Sequence, residues 1–74
     1  MPRNAKALRR FHMKHTEHSI EGVARRRPVG GFYVVERAKL IEATADGGSR
    51  TVTLDSAWTE IPVSEVLFVQ VIAE

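Results

Sequence analysis

Arg25, Arg26 and Arg27 run without a break into Pro28, Val29 and the pair Gly30-Gly31. A row of guanidinium groups beside a turn is suited to phosphate. Each group is always charged and presents planar donors that match phosphate oxygens. Tyr33 or Phe32, just beyond the turn, would offer a ring on which a base could stack. A second basic set, Arg3, Lys6, Arg9, Arg10 and Lys14, lies near the N-terminus and could extend the same surface. The candidate nucleic-acid contacts are therefore Arg25, Arg26, Arg27 and Tyr33, with Arg9, Arg10 and Lys14. The plain alternative is a solvated hairpin tip and a basic solubility handle.

Other chemistries find little support. His12, His15 and His18 recur every third residue, but on a helix three such positions spread over more than one face, and no carboxylate pattern completes a metal site. A modest pH response of the N-terminal charge is the simpler use of these imidazoles. Ser19, Ser49, Ser56 and Ser64 lack the strand-turn-helix context of a nucleophile. Asp46, Asp55, Glu60 and Glu65 fall at expected turns and strand exteriors, where carboxylates are solvated. The sequence thus points away from an enzyme, and to no cofactor, metal or small-molecule substrate.

Seventy-four residues make one small domain. A chain of this size buries only about 60% of the surface it exposes unfolded, so its core is marginal. It has no cysteine, hence no disulfide, and oligomerisation is the expected source of extra stability. The cysteine-free composition fits a reducing cytoplasm, and no stretch is apolar for the length a membrane span needs. Charge is unevenly divided. Residues 1–27 hold eight Lys/Arg and two Glu, a balance of +6, whereas residues 28–74 hold three Lys/Arg and seven acids, a balance of −4; together they give the chain's +2. Such asymmetry suits a polyanion contact, or a basic face meeting an acidic face between subunits.

The elements that must position these side chains read as one helix followed by strands. Asn4 can cap a helix, residues 5–9 are mostly good helix formers, and Leu8 and Phe11 fall on one side, which predicts a helix over about 4–14. From 18 to 73 the chain reads as five strands: 18–27, with Ile20, Gly22 and Val23; 32–43, the longest; 50–55, with Val52 and Leu54 alternating inward; 57–63; and 65–74. In the long strand, strict alternation would put Phe32, Val34, Ala38 and Leu40 on one side and Tyr33, Val35 and Ile41 on the other. Turn residues Pro28-Val29-Gly30-Gly31 and Asp46-Gly47 mark hairpins. Pro62 and Ser64 predict a short helical turn before the last strand. Five short strands with such turns predict a strongly bent, small β-barrel.

Helix, five bent strands and a one-turn break before the last strand: this order resembles the Sm-like barrel, with the SH3-like barrel as the alternative. Gly22 falls at the glycine of the family's first strand, "VVERA" (34–38) resembles its apolar strand with Ala38 at the alanine, and "IPVSEV" (61–66) sits at its second motif. The family's base-binding Asp and Asn positions are occupied here by Pro28 and Phe32, and its Arg, Gly and Asn by Pro62, Val63 and Glu65, so base-specific recognition is not carried over. The resemblance implies a homo-oligomeric ring joined by edge strands, with Val66, Phe68, Val69, Val71 and Trp58 at the interface. The expectation is a non-enzymatic, self-assembling module that contacts RNA or DNA phosphate with little sequence preference. Its alternative is an adaptor that mediates protein assembly through strand edges.

Overall fold

In the computed structural model, which describes residues 5–74, six strands follow one another. They are β1 (Ala7–Met13), β2 (Ser19–Ala24), β3 (Phe32–Ala43), β4 (Ser49–Thr53), β5 (Thr59–Pro62) and β6 (Val66–Ala73), with a single 3₁₀ turn at Val63–Glu65 before the last. All pairings are antiparallel, in the order β4-β3-β2-β1-β6. The far edge of β3 is shared: β5 pairs with its first four residues, Phe32 to Val35, and β4 with its last five, Lys39 to Ala43. No ladder joins β6 to β4 or β5 among the described residues, so the sheet is strongly bent but open, and not the closed barrel the strand spacing predicts.

The N-terminal helix does not exist. Residues 7–13 form β1 instead, paired to β2 on one side and β6 on the other. A helix of about ten residues is marginal on its own, and helix propensity is readily overridden by tertiary context. Here the extended form gains two hydrogen-bonded ladders and buries Phe11 completely. The sheet therefore has six strands rather than five. Asn4, the expected helix cap, and Arg3 lie outside the described residues.

Alternation along β3 also fails, for a local reason. Glu21 pairs with Lys39, but Val23 pairs with Glu36, so one extra residue is inserted in β3 opposite Gly22. The inserted turn of chain carries Arg37 at φ 54°, the left-handed region. The insertion reverses the alternation, so Val35 and Ala38, three residues apart, are both buried, while Phe32 and Val34 are exposed. Gly22 makes this possible. A Cβ there would lie 2.5 Å from Val35 Cγ1 and 2.7 Å from the Glu36 carbonyl oxygen, inside contact distance.

The core that results is small. Phe11, Val35 and Ile61 are fully buried, joined by Ala24, Ala38 and Val66, with Met13, Ile20, Tyr33, Leu54 and Val69 packed around them. The Phe11 and Tyr33 rings meet at 4.9 Å in a tilted pair.

Turn chemistry follows the sequence. Val29 and Phe32 exchange backbone hydrogen bonds of 2.8 and 3.0 Å across Gly30 and Gly31, whose φ values of 58° and 85° make the two-residue hairpin turn that only positive φ allows. Between β3 and β4, Gly47 N–H donates to the Thr44 carbonyl and Thr44 N–H to the Gly48 carbonyl. The Asp46 carboxylate accepts from the Thr44 hydroxyl and from Gly48 N–H. These two bonds, the hydroxyl foremost, hold the Asp46 carboxyl below the usual aspartate range. The 3₁₀ turn at Val63–Glu65 matches the break expected there and sends β6 back across the sheet to β1.

Two outcomes follow. Gly22→Ala will lower stability by about 1–3 kcal/mol through overpacking against β3, read as a fall in the urea midpoint at unchanged slope; an unchanged midpoint would refute the close approach. A folded-state pKa below the unfolded one contributes stability that is present above the unfolded pKa and is lost as pH falls through the folded pKa. Carbon NMR of the Asp46 carboxyl should thus show a midpoint below 3.8, and Thr44→Val should move it upward.

Candidate nucleic-acid interface

The loop from Arg25 to Gly31 joins β2 to β3, and every residue in it is exposed. It stands where the chain needs exposed backbone: Ala24 is the last buried residue of β2, Pro28 cannot donate to a ladder, and the Gly30-Gly31 turn reverses direction. Arg25 and Arg27, together with Lys6, border a groove of about 310 Å³ whose apolar floor includes Val23, Val29 and Val34. Glu36 also lines it, and Lys6 Nζ bonds both of its carboxylate oxygens at 3.0 and 3.1 Å. An exposed pair of this kind contributes under about 1 kcal/mol, so a phosphate could take over Lys6 at little cost. Lys6, Arg25 and Arg27 thus line one groove together with the Glu36 carboxylate.

The other basic candidates are not gathered on this surface. Arg9 anchors the chain: its Nε donates to the Ala24 carbonyl at 2.9 Å and its Nη2 to the Ala5 carbonyl at 3.3 Å. Arg10 reaches Glu21 Oε1 through Nη2 at 2.8 Å and Nε at 3.2 Å, a half-buried cross-strand pair that neutralises both groups. Lys14 is exposed, but it follows β1 at the far end of the sheet from Arg25. Seven strand residues separate the two ends, roughly 23 Å. A helix with one basic face, the form in which these residues were expected to act together, is replaced by a strand that splits them between faces and ends.

The aromatic candidate is also displaced. Tyr33 turns to the core side and packs on Phe11, whereas Phe32 stands on the outer face and is 40% exposed. Trp58, expected in the core or at a subunit interface, is not in the core: it is 56% exposed, and its indole Nε1 donates to Glu60 Oε2 at 3.1 Å. Strict alternation gives no reason to prefer Tyr33 or Phe32 as the exposed ring; the inserted residue opposite Gly22 decides which face is the core.

The expected interface residues divide in the same way. Val66 is buried in this chain's own core, and Val69 packs against it. Phe68 stacks on His12 at 4.2 Å. Leu67, Phe68, Val71 and Ile72 remain between 39% and 61% exposed on a strand that pairs only on its β1 side.

The histidines serve separate local roles. His12 Nε2 lies 3.1 Å from Gln70 Oε1, and His18 Nδ1 accepts from Ala43 N–H at 3.1 Å. Among the described residues no group of three or more His, Asp or Glu side chains gathers as metal ligands, and no helix is long and apolar enough to cross a membrane. Compared with known proteins, the chain matches no family model, no curated protein and no solved structure.

Proposed function

We propose that this chain is a non-enzymatic module that binds RNA or DNA through backbone phosphates with little sequence preference, working as an assembly of its own copies. The observation that carries the reading is the arginine loop: three consecutive guanidinium groups on exposed chain, two of them bordering a groove that Lys6 also lines. Phosphate contacts of this kind position a nucleic acid without reading its sequence. Repetition of the loop in an assembly would multiply a weak contact by avidity. The cysteine-free composition fits a cytoplasmic setting.

The Sm-like or SH3-like relation belongs to the same proposal. It is supported by the order of β2 to β6, by Gly22 set against β3 at Val35 and Ala38, and by the 3₁₀ turn before the last strand. The open sheet gives it a use: a neighbouring copy would pair with β6 and cover what the single chain leaves bare.

The second reading, an adaptor that joins proteins through strand edges, is favoured by β6 itself. Residues 66–73 carry no charge, and a free apolar edge of this kind recruits another strand.

Retention on a polyanion column should fall steeply with salt, and Arg25→Glu, Arg26→Glu and Arg27→Glu together should abolish it. In a salt titration the parent's slope of log affinity against log salt should drop by roughly two to three, near one per lost phosphate contact. Parent-like binding by the triple variant would remove the loop from the interface. For assembly, Val71→Lys is the cleaner probe, because Val71 is half exposed and outside the core. Sedimentation should show the parent as an oligomer and this variant as a folded single copy; a monomeric parent would refute assembly.

A further inference from the structure

The outer face beside the arginine loop carries two exposed rings that the core does not use. Phe32 and Val34 project to this face because Tyr33 and Val35 turn inward. Glu60 of β5 stands directly across from Val34. Trp58 precedes Glu60 by two residues and bonds its carboxylate, so its indole shares that face. Val34 and Val29 are in turn part of the groove that Arg25 and Arg27 border. Val34 therefore links the face that carries the rings to the groove that the guanidinium groups border.

We infer that Phe32 and Trp58 form a stacking platform for the bases of single-stranded nucleic acid, with the Arg25–Arg27 loop on its phosphates. The inference rests on the phosphate reading above and narrows its ligand to single strands.

Three features carry it. First, a tryptophan more than half exposed on the same face as Val34 leaves much of its ring uncovered by this chain, and every base has a π-face that such a ring can take. Second, Phe32 pairs with Pro62, and Trp58 lies four residues before Pro62, so the backbone positions of the two rings lie about 13 Å apart along the strands. At that spacing along the strands each ring can take its own base of one strand. Third, Glu36 and Glu60 share the face with the cations, which weakens a purely electrostatic grip. Flat apolar contact supplies what charge alone does not. A duplex keeps its bases stacked inside and can offer this surface only phosphates.

Trp58 is the only tryptophan, so its emission reports directly on the platform. The probes are a short oligothymidylate, the same strand annealed to oligoadenylate, and inorganic polyphosphate of matched charge. The oligothymidylate should quench Trp58 and bind more tightly than the duplex, and polyphosphate should bind without quenching. By anisotropy of a labelled strand, Phe32→Ala and Trp58→Ala should each weaken oligothymidylate binding about tenfold, leave polyphosphate binding unchanged and keep the parent circular dichroism; Trp58→Phe should restore most of the loss. If the duplex binds as well as the single strand, or if both truncations are neutral while the triple arginine variant abolishes binding, the platform is wrong and the phosphate reading stands. If the parent retains neither polyphosphate nor oligothymidylate, the phosphate reading fails and the platform with it.

Discussion

The close approach of β2 to β3 at Gly22 is the constraint on which the rest of the structure depends. Without a Cβ at that position, Val35 and the backbone from Glu36 to Ala38 can lie against β2. The extra residue opposite it, with Arg37 in the left-handed region, both bends β3 and reverses its inward side. One consequence is internal: Val35 and Ala38 enter the same core and meet Phe11, Ala24, Ile61 and Val66. Another is external, because the same reversal turns Phe32 and Val34 outward beside the arginine loop. Core and candidate interface are two sides of one backbone irregularity.

The bend also explains how a single long strand can serve two partners on one edge. β5 holds the first third of β3, β4 the last, and the insertion lies between them. The 3₁₀ turn then carries the chain from β5 to β6, which crosses to β1 at the opposite end of the sheet order. The sheet curls enough to enclose Phe11 yet stops short of pairing its ends. What is left over is an uncharged edge strand with four large apolar side chains in solvent, a surface that single copies of small β proteins ordinarily hide or blunt.

The charge pattern acquires meaning only once it is folded. Of the eight basic residues in the first 27, Arg9 and Arg10 are engaged in holding β1 to its neighbours, and Lys14 sits at the remote end. Lys6, Arg25 and Arg27 instead line one groove at the other end, beside the exposed Arg26. Counting charges along the chain therefore overstated the breadth of the basic surface.

Turns and strands whose signals are local were legible from residues alone. Val29-Gly30-Gly31-Phe32 closes a two-residue hairpin because glycine accepts positive φ; Asp46 organises its turn with its own carboxylate; Phe32–Ala43 is a strand throughout, and a 3₁₀ turn follows Pro62, which lacks an N–H. The turn beside the arginines was legible too, but the first strand, expected over 18–27, ends at Ala24 and leaves Arg25 to Arg27 in the loop. Tertiary structure alone decided the fate of residues 7–13, whose propensities lean to a helix but which gain two ladders and the burial of Phe11 as a central strand. It alone decided which rings face solvent, since a single inserted residue inverts a period of two and no composition reveals where it falls. And it alone decided that the sheet stays open: closure depends on the summed twist and bend of six strands, a global quantity to which each residue contributes only slightly.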